Sequence, residues 1–359
     1  MNNHPYRRRG GRTVRHYLAC ARLDDSLGDT INTHSTRTAT ALATVAISAV
    51  ILTGCSATSG GAAEDSSAPA ASTVTIEDNF GSIEVPVKPQ RVVALDNTVF
   101  KTLNDWNIPL VAAPKGVMGT AWPKYVDDAA VLDIGNHREP DLEKIIEAEP
   151  DLVIGGYRFG SFYEEIKKMA PNTIEINPRK DQDVIAELKR QTDILGTIFD
   201  RKADARTLTD GLETAITDAK KSYDGSGTVL ALIVSGGKIG YVAPVTGRSL
   251  GLLYPTLGLK PAIEQDAENT SHGDDLSAEA IAAANPDWIV VLDRDGGFGE
   301  EGYVPAKDVL ENAEALKNVP AIQKSQVVYA DPSFYLDEGI QSYTQLFGDL
   351  ATAFAAAKA

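Results

Sequence analysis

Residues 142–158 read LEKIIEAEPDLVIGGYR, and residues 278–294 read AEAIAAANPDWIVVLDR. With Pro150 laid on Pro286, Glu143 falls on Glu279, Ile145 on Ile281 and Asp151 on Asp287. The apolar runs Leu152–Ile154 and Trp288–Val290 then coincide, and each copy ends on an arginine, Arg158 or Arg294. Each copy predicts a short amphipathic helix, a Pro-Asp breaker, a buried strand and a loop carrying a cation. The copies lie 136 residues apart, too far for a solenoid repeat. That spacing suits two similar lobes facing each other.

Composition sets the bounds around this pair. The 359 residues can hold two domains with their own cores, and 43% apolar with 23% charged residues is a globular balance. A net charge of −16 argues against nucleic acid as a partner.

The first 38 residues are polar and carry Arg7, Arg8, Arg9, Arg12, Arg15, Arg22 and Arg37. An apolar run then spans residues 39–52, too short to cross a bilayer and suited to a signal-peptide core. It closes on Leu52-Thr53-Gly54-Cys55, the pattern of a bacterial lipobox. The expectation is a lipoprotein signal over 1–54, cleavage before Cys55 and acylation of that cysteine. Cleavage removes Cys20, so no disulfide is possible. The mature chain keeps 27 basic and 47 acidic residues, a charge of about −20. Residues 55–73 read as a lipidated, Ala-, Ser- and Gly-rich tether, which places the protein on the outer face of the cell membrane.

From Val74 to Val87 the sequence alternates around Asn79-Phe80-Gly81, predicting a hairpin. A buried strand over Val92–Leu95, a helix over Thr98–Trp106, a strand over Pro109–Ala112, the first repeat copy and a strand over Thr173–Ile176 follow. That alternation predicts a mostly parallel sheet covered by helices, an N-terminal lobe over 74–180. Asp181–Leu195 carries one helical stripe; it is read as the connecting helix of residues 181–199, in which Gly196 permits a break. A second helix runs from Lys202 to Ser222 inside a C-terminal lobe over 200–359. That lobe contains strands at Thr228–Val234 and Gln326–Tyr329 and a final helix from Ile340. The fold class is therefore α/β: two three-layer lobes with mostly parallel sheets, joined by a connecting α-helix, with a cleft at the carboxyl ends of their strands.

Three arginines fall where strands hand over to loops: Arg158, Arg248 and Arg294. Singly, each reads equally as a solvated surface residue. Two occupy equivalent repeat positions, and guanidinium groups gathered in one cleft of an acidic protein point to an anionic ligand. The mature chain has two histidines, His137 and His272. His272 lies in the polar loop Asn269–Asp274, and Tyr335 follows Asp331-Pro332 beyond a strand. An exposed loop histidine and a packing tyrosine are the plain readings. If the two converge, a phenolate oxygen and an imidazole nitrogen suit Fe(III) better than zinc or manganese. No nucleophile elbow, phosphate loop, His-Glu-x-x-His motif or mature cysteine nucleophile is present, so a binder rather than an enzyme is expected.

Over about residues 74–357 the sequence resembles the iron-siderophore substrate-binding lipoproteins of ABC importers, the bilobal class III periplasmic binding proteins. The resemblance rests on Val85-Pro86 through Asp96, the Pro-Asp repeat, Gly155–Arg158 with Phe162-Tyr163, Gly247-Arg248, Ser271-His272-Gly273, Val291–Arg294 and Asp331-Pro332. The last four look like the catecholate-binding subgroup. What it implies is an arginine triad of Arg158, Arg248 and Arg294 on the anionic complex. His272 and Tyr335 would contact Fe(III) where the siderophore leaves positions open. Glu143 and Glu279, one on each lobe, would dock on the permease dimer, which works with its ATPase. It implies a monomer with no intrinsic cofactor. The rival expectations are a haem-binding receptor and an interaction lipoprotein outside transport.

Overall fold

The computed structural model describes residues 72–299 and 301–358. The expected signal peptide, Cys55 and the tether up to residue 71 lie outside the described residues, and the tether ends earlier than expected, because Thr73 already opens the first strand. Among the described residues Ser72 is exposed, and no helix is long and apolar enough to cross a membrane.

The strands are β1 (Thr73–Asp78), β2 (Gly81–Pro86), β3 (Val92–Ala94), β4 (Leu110–Ala113), β5 (Leu132–Asp133), β6 (Leu152–Gly155), β7 (Thr173–Glu175), β8 (Thr228–Ser235), β9 (Lys238–Tyr241), β10 (Lys260–Pro261), β11 (Asp274–Asp275), β12 (Trp288–Asp293) and β13 (Val327–Tyr329). β1 and β2 form the expected antiparallel hairpin. The first lobe is a parallel sheet in the order β5-β4-β3-β6-β7. The second has the order β11-β9-β8-β12-β13, with β10 beside β8. Its centre is parallel and its β9 and β11 edge antiparallel.

Both sheets are buried on two faces, which is why their central strands read as unbroken apolar runs. Side chains alternate along each strand. In the second lobe Val229, Ala231, Ile233, Val290 and Leu292 face one core, while Leu230, Leu232, Val234, Ile289 and Val291 face another. In the first lobe Val92, Ala94, Leu152 and Ile154 share that first core, and Val93, Ala112 and Val153 face a third. The core holding Val92 and Val229 is thus continuous between the lobes. The final helix, Ile340–Ala356, lays Leu346, Phe347, Leu350 and Phe354 into it.

The doubled stretch folds as two equivalent units, Glu143–Glu147 with β6 and Ala278–Ala284 with β12. The structure explains the shared Pro-Asp. Asp151 accepts the backbone N–H groups of Gln90 at 2.6 Å and Arg91 at 2.9 Å, and its own N–H donates to the Arg91 carbonyl at 3.0 Å. Asp287 accepts the Thr228 N–H at 2.9 Å, and its N–H donates to the Thr228 carbonyl at 3.1 Å. In each lobe this aspartate clips the start of the repeat strand to the start of the neighbouring central strand.

Two helices, Val184–Ile198 and Lys202–Ser222, lie between β7 and β8. The break that Gly196 permits in the first of them is not used. The helix runs through Gly196, and the chain turns at Phe199–Arg201, where Asp200 has φ 54. A Cβ at Gly196 would lie 2.6 Å from the Ala205 Cβ, so this glycine serves the close approach of the two helices.

Candidate ligand-binding site

Where the lobes meet, hydrogen bonds cross between them. The Asn97 amide donates to the Asp337 carbonyl at 3.1 Å and the Thr102 hydroxyl to Gln341 at 3.0 Å. The Thr120 N–H and the Tyr157 hydroxyl donate to the Gly297 carbonyl and Glu338, each at 3.1 Å. Tyr335 sits on a four-residue helix, Phe334–Asp337, and its side chain is almost wholly buried.

Three guanidinium groups from both lobes surround the Tyr335 ring. Their central carbons lie 5.4 Å (Arg158), 4.6 Å (Arg248) and 5.2 Å (Arg294) from its centre, within cation–π range. Arg158 reaches it from the turn after β6 and Arg294 from the residue after β12. The turn at Gly156 requires glycine, because φ is 107 and a Cβ would lie 2.5 Å from the Asn177 side-chain oxygen. Arg248 arrives differently from the expectation that it leaves a cleft-facing strand end. β9 runs antiparallel to β8, so its carboxyl end points away from the ends of β8 and β12. The loop beyond β9 carries Arg248 back, and the Arg248 N–H donates to the Thr270 carbonyl at 2.8 Å.

The three arginines differ in what they still offer. Arg248 gives Nε to Glu338 at 3.0 Å, Nη2 to the same carboxylate, and Nη1 to the Tyr335 hydroxyl at 3.3 Å. Arg294 gives Nη1 to Asp295 at 2.7 Å and to Ser235 at 3.2 Å, and its buried Nε has no partner. Arg158 stacks on Tyr157 and Tyr335 and makes no side-chain hydrogen bond or ion pair among the described residues. Burial raises the Tyr335 pKa, but Arg248, Arg158 and Arg294 outweigh it and bring the phenol below its ordinary value. Tyr157 moves the other way, pushed up by burial and by Glu338, and stays a donor.

Beside Tyr335 opens a cavity of about 240 Å³, walled by Arg158, Arg294, Tyr335, His137, Arg138 and Phe298 among others. Arg248 and His272 are not in that wall. His272 is exposed on the turn before β11, its backbone N–H held by the Asn269 side chain at 3.0 Å. Desolvation, then Arg294, Arg248, Arg158 and Arg138, lower its pKa. His137 does line the cavity. Its Nδ1 is buried without a partner, and burial followed by Arg158, Arg138 and Arg248 lowers its pKa, so a neutral imidazole faces the space. Glu143 and Glu279 are exposed at the starts of their helices. Among the described residues no group of three or more His, Cys, Asp or Glu could hold a metal.

Sequence reasoning missed Arg138, Tyr157 and Glu338. Arg138 and Tyr157 are neighbours of residues already singled out. Glu338 had no signal, since its role depends on contacts with Arg248 and Ser249, about ninety residues away in sequence.

Two α/β lobes closing on a cationic cleft define a bilobal solute-binding protein. The chain belongs to the periplasmic binding protein family, which it matches over residues 92–334. It is 29% identical over 310 residues to the petrobactin-binding protein YclQ of Bacillus subtilis, covering 85% of this chain and 95% of that one. It is 27% identical over 293 residues to the ferric-anguibactin-binding protein FatB of Vibrio anguillarum, covering 81% and 89%. The crystal structure of YclQ superposes with a TM-score of 0.67 at 28% identity, over 79% of this chain and 99% of that one. The catecholate-siderophore binding protein VctP of Vibrio cholerae shares the fold at a TM-score of 0.69, over 78% of this chain and 100% of that one, at 24% identity. These relatives are named as binding proteins, not as enzymes.

Proposed function

We propose that this protein captures an anionic ferric siderophore of catecholate type in the inter-lobe cleft and delivers it to an ABC importer. The observation that carries the reading is the convergence of Arg158, Arg248 and Arg294 on Tyr335. The names of YclQ and FatB support it.

The ligand arrives as a preformed iron complex, so the protein's main task is recognition. Guanidinium donors in a half-buried wall reward catecholate and carboxylate oxygens with charge-assisted hydrogen bonds, about 1.5–3 kcal/mol each. Arg158 brings uncommitted donors, and Arg294 brings the nitrogens not given to Asp295 and Ser235. Tyr335 offers an oxygen to iron where the siderophore leaves a position open; His272 contributes the second donor by moving its turn toward the cavity. The lobes share one continuous core, which favours small closure over a wide hinge. Acylated Cys55 anchors the monomer on the outer face of the membrane, and Glu143 and Glu279 dock on the permease dimer.

The test is a binding screen of residues 56–359 against ferric catecholate, hydroxamate and citrate complexes, read by quenching of the fluorescence of Trp106, Trp122 and Trp288. The expected result is saturable quenching by catecholates. Binding of hydroxamates alone refutes the catecholate assignment, and a Soret band on adding haem with no ferric-complex binding refutes the siderophore reading.

A further inference from the structure

We infer that Glu338 sets how much negative charge the cleft accepts in its ligand, a reading that rests on the anionic-ligand function proposed above. The Glu338 carboxylate is 6% exposed and fully engaged. It accepts from Arg248 through Nε and Nη2, from the Ser249 hydroxyl, and from the Tyr157 hydroxyl at 3.1 Å. With Nη1 on the Tyr335 hydroxyl, each nitrogen of the Arg248 guanidinium is committed inside the protein. This is why Arg248 flanks Tyr335 yet stays out of the cavity wall. Glu338 has φ 52 and Ser249 has φ 66, two non-glycine residues in the sparsely populated left-handed region. Such conformations persist where the surroundings over-determine them.

The consequence is electrostatic. A carboxylate bonded to a guanidinium cancels most of the field that the cation sends toward a third charge. Asp295 does the same for Arg294. Of the arginines around Tyr335, Arg158 alone enters without a carboxylate of its own among the described residues, and Arg138 joins it at the cavity wall. A trianionic complex therefore brings more charge than the uncompensated cations match, whereas a dianionic complex is matched. Glu338 acts as a resident anion that keeps one cation of the triad from the ligand.

One tris-catecholate ligand loaded with gallium(III) or with titanium(IV) gives complexes of similar shape, trianionic and dianionic respectively. The ratio of their dissociation constants isolates charge. The wild-type chain should bind the titanium complex at least as tightly as the gallium complex. Glu338→Gln, which preserves shape and an acceptor oxygen, should shift the preference about tenfold toward the trianion. Glu338→Asp, which keeps the charge, should leave the ratio unchanged. Equal weakening of both complexes by Glu338→Gln would show that Glu338 only positions Arg248 and would overturn the inference. So would a wild-type preference of about tenfold for the gallium trianion, which requires no variant to fold. Failure of the wild-type chain to bind either complex would count against the proposed function instead.

Discussion

The Arg248 guanidinium lies 4.6 Å from the centre of the Tyr335 ring and donates from Nη1 to the Tyr335 hydroxyl at 3.3 Å. One cation thus stabilises both the face of the ring and its oxygen. Removing it should move the tyrosine back toward ordinary behaviour. In the folded protein Tyr335 should ionise below the usual tyrosine value, and Arg248→Gln should raise its pKa. The measurement is ultraviolet titration of the phenolate band, with Tyr335→Phe subtracted to isolate this residue. A Tyr335 titration that ignores Arg248 would contradict the geometry.

The arginines should not be interchangeable in binding. Arg158 has its donors uncommitted, so Arg158→Ala should cost about 1.5–3 kcal/mol of affinity for a ferric catecholate with little change in thermal stability. Arg248→Ala should instead lower stability by about 3–5 kcal/mol, because it strands a buried carboxylate at Glu338. Paired titration calorimetry and denaturant unfolding separate the two effects.

Lowering the pH from about 7 toward the ordinary carboxyl range should stabilise the protein. Asp96 and Asp337 are wholly buried, and burial pushes each up to about 7. A carboxyl raised in the folded state favours folding in its protonated form. That contribution is complete below the ordinary value of 3.8 and is lost as pH rises through about 7. The thermal midpoint should therefore fall across that interval, and Asp337→Asn should flatten the fall. A steeper profile in the variant would sink the assignment.

The contact between lobes at Gly119 should be intolerant of side chains. Its φ is +55, and a Cβ there would lie 2.5 Å from the Gly297 carbonyl oxygen and 2.6 Å from Leu336. Gly119→Ala should cost about 1–3 kcal/mol through overpacking and backbone strain. Urea unfolding measures it.

Glu143→Ala and Glu279→Ala should leave ligand affinity unchanged and reduce iron uptake in cells. Both carboxylates are exposed and neither lines the cavity beside Tyr335. Loss of binding in either variant would place them in the site rather than on a docking face.

Much of the architecture follows from local pattern. Apolar runs that alternate with helical stripes specify sheets buried on both faces, and the Pro-Asp repeat marks equivalent strands, because period and breaker residues are properties of short stretches. Arg158 and Arg294 were legible for the same reason: the repeat puts each just past the carboxyl end of its strand. The role of Gly196 is not legible in its own stretch: a glycine there permits a break, whereas what requires it is the close approach of Ala205 on a second helix.

The sequence by itself determined two α/β lobes, their pairing through a doubled unit, and arginines just past equivalent strand ends. Only the tertiary structure decided that His137 rather than His272 lines the cavity, and that Arg248 is held by Glu338 while Arg158 remains uncommitted. These outcomes depend on where loops from distant parts of the chain cross and which charges are buried together. Such contacts leave no periodicity in the sequence.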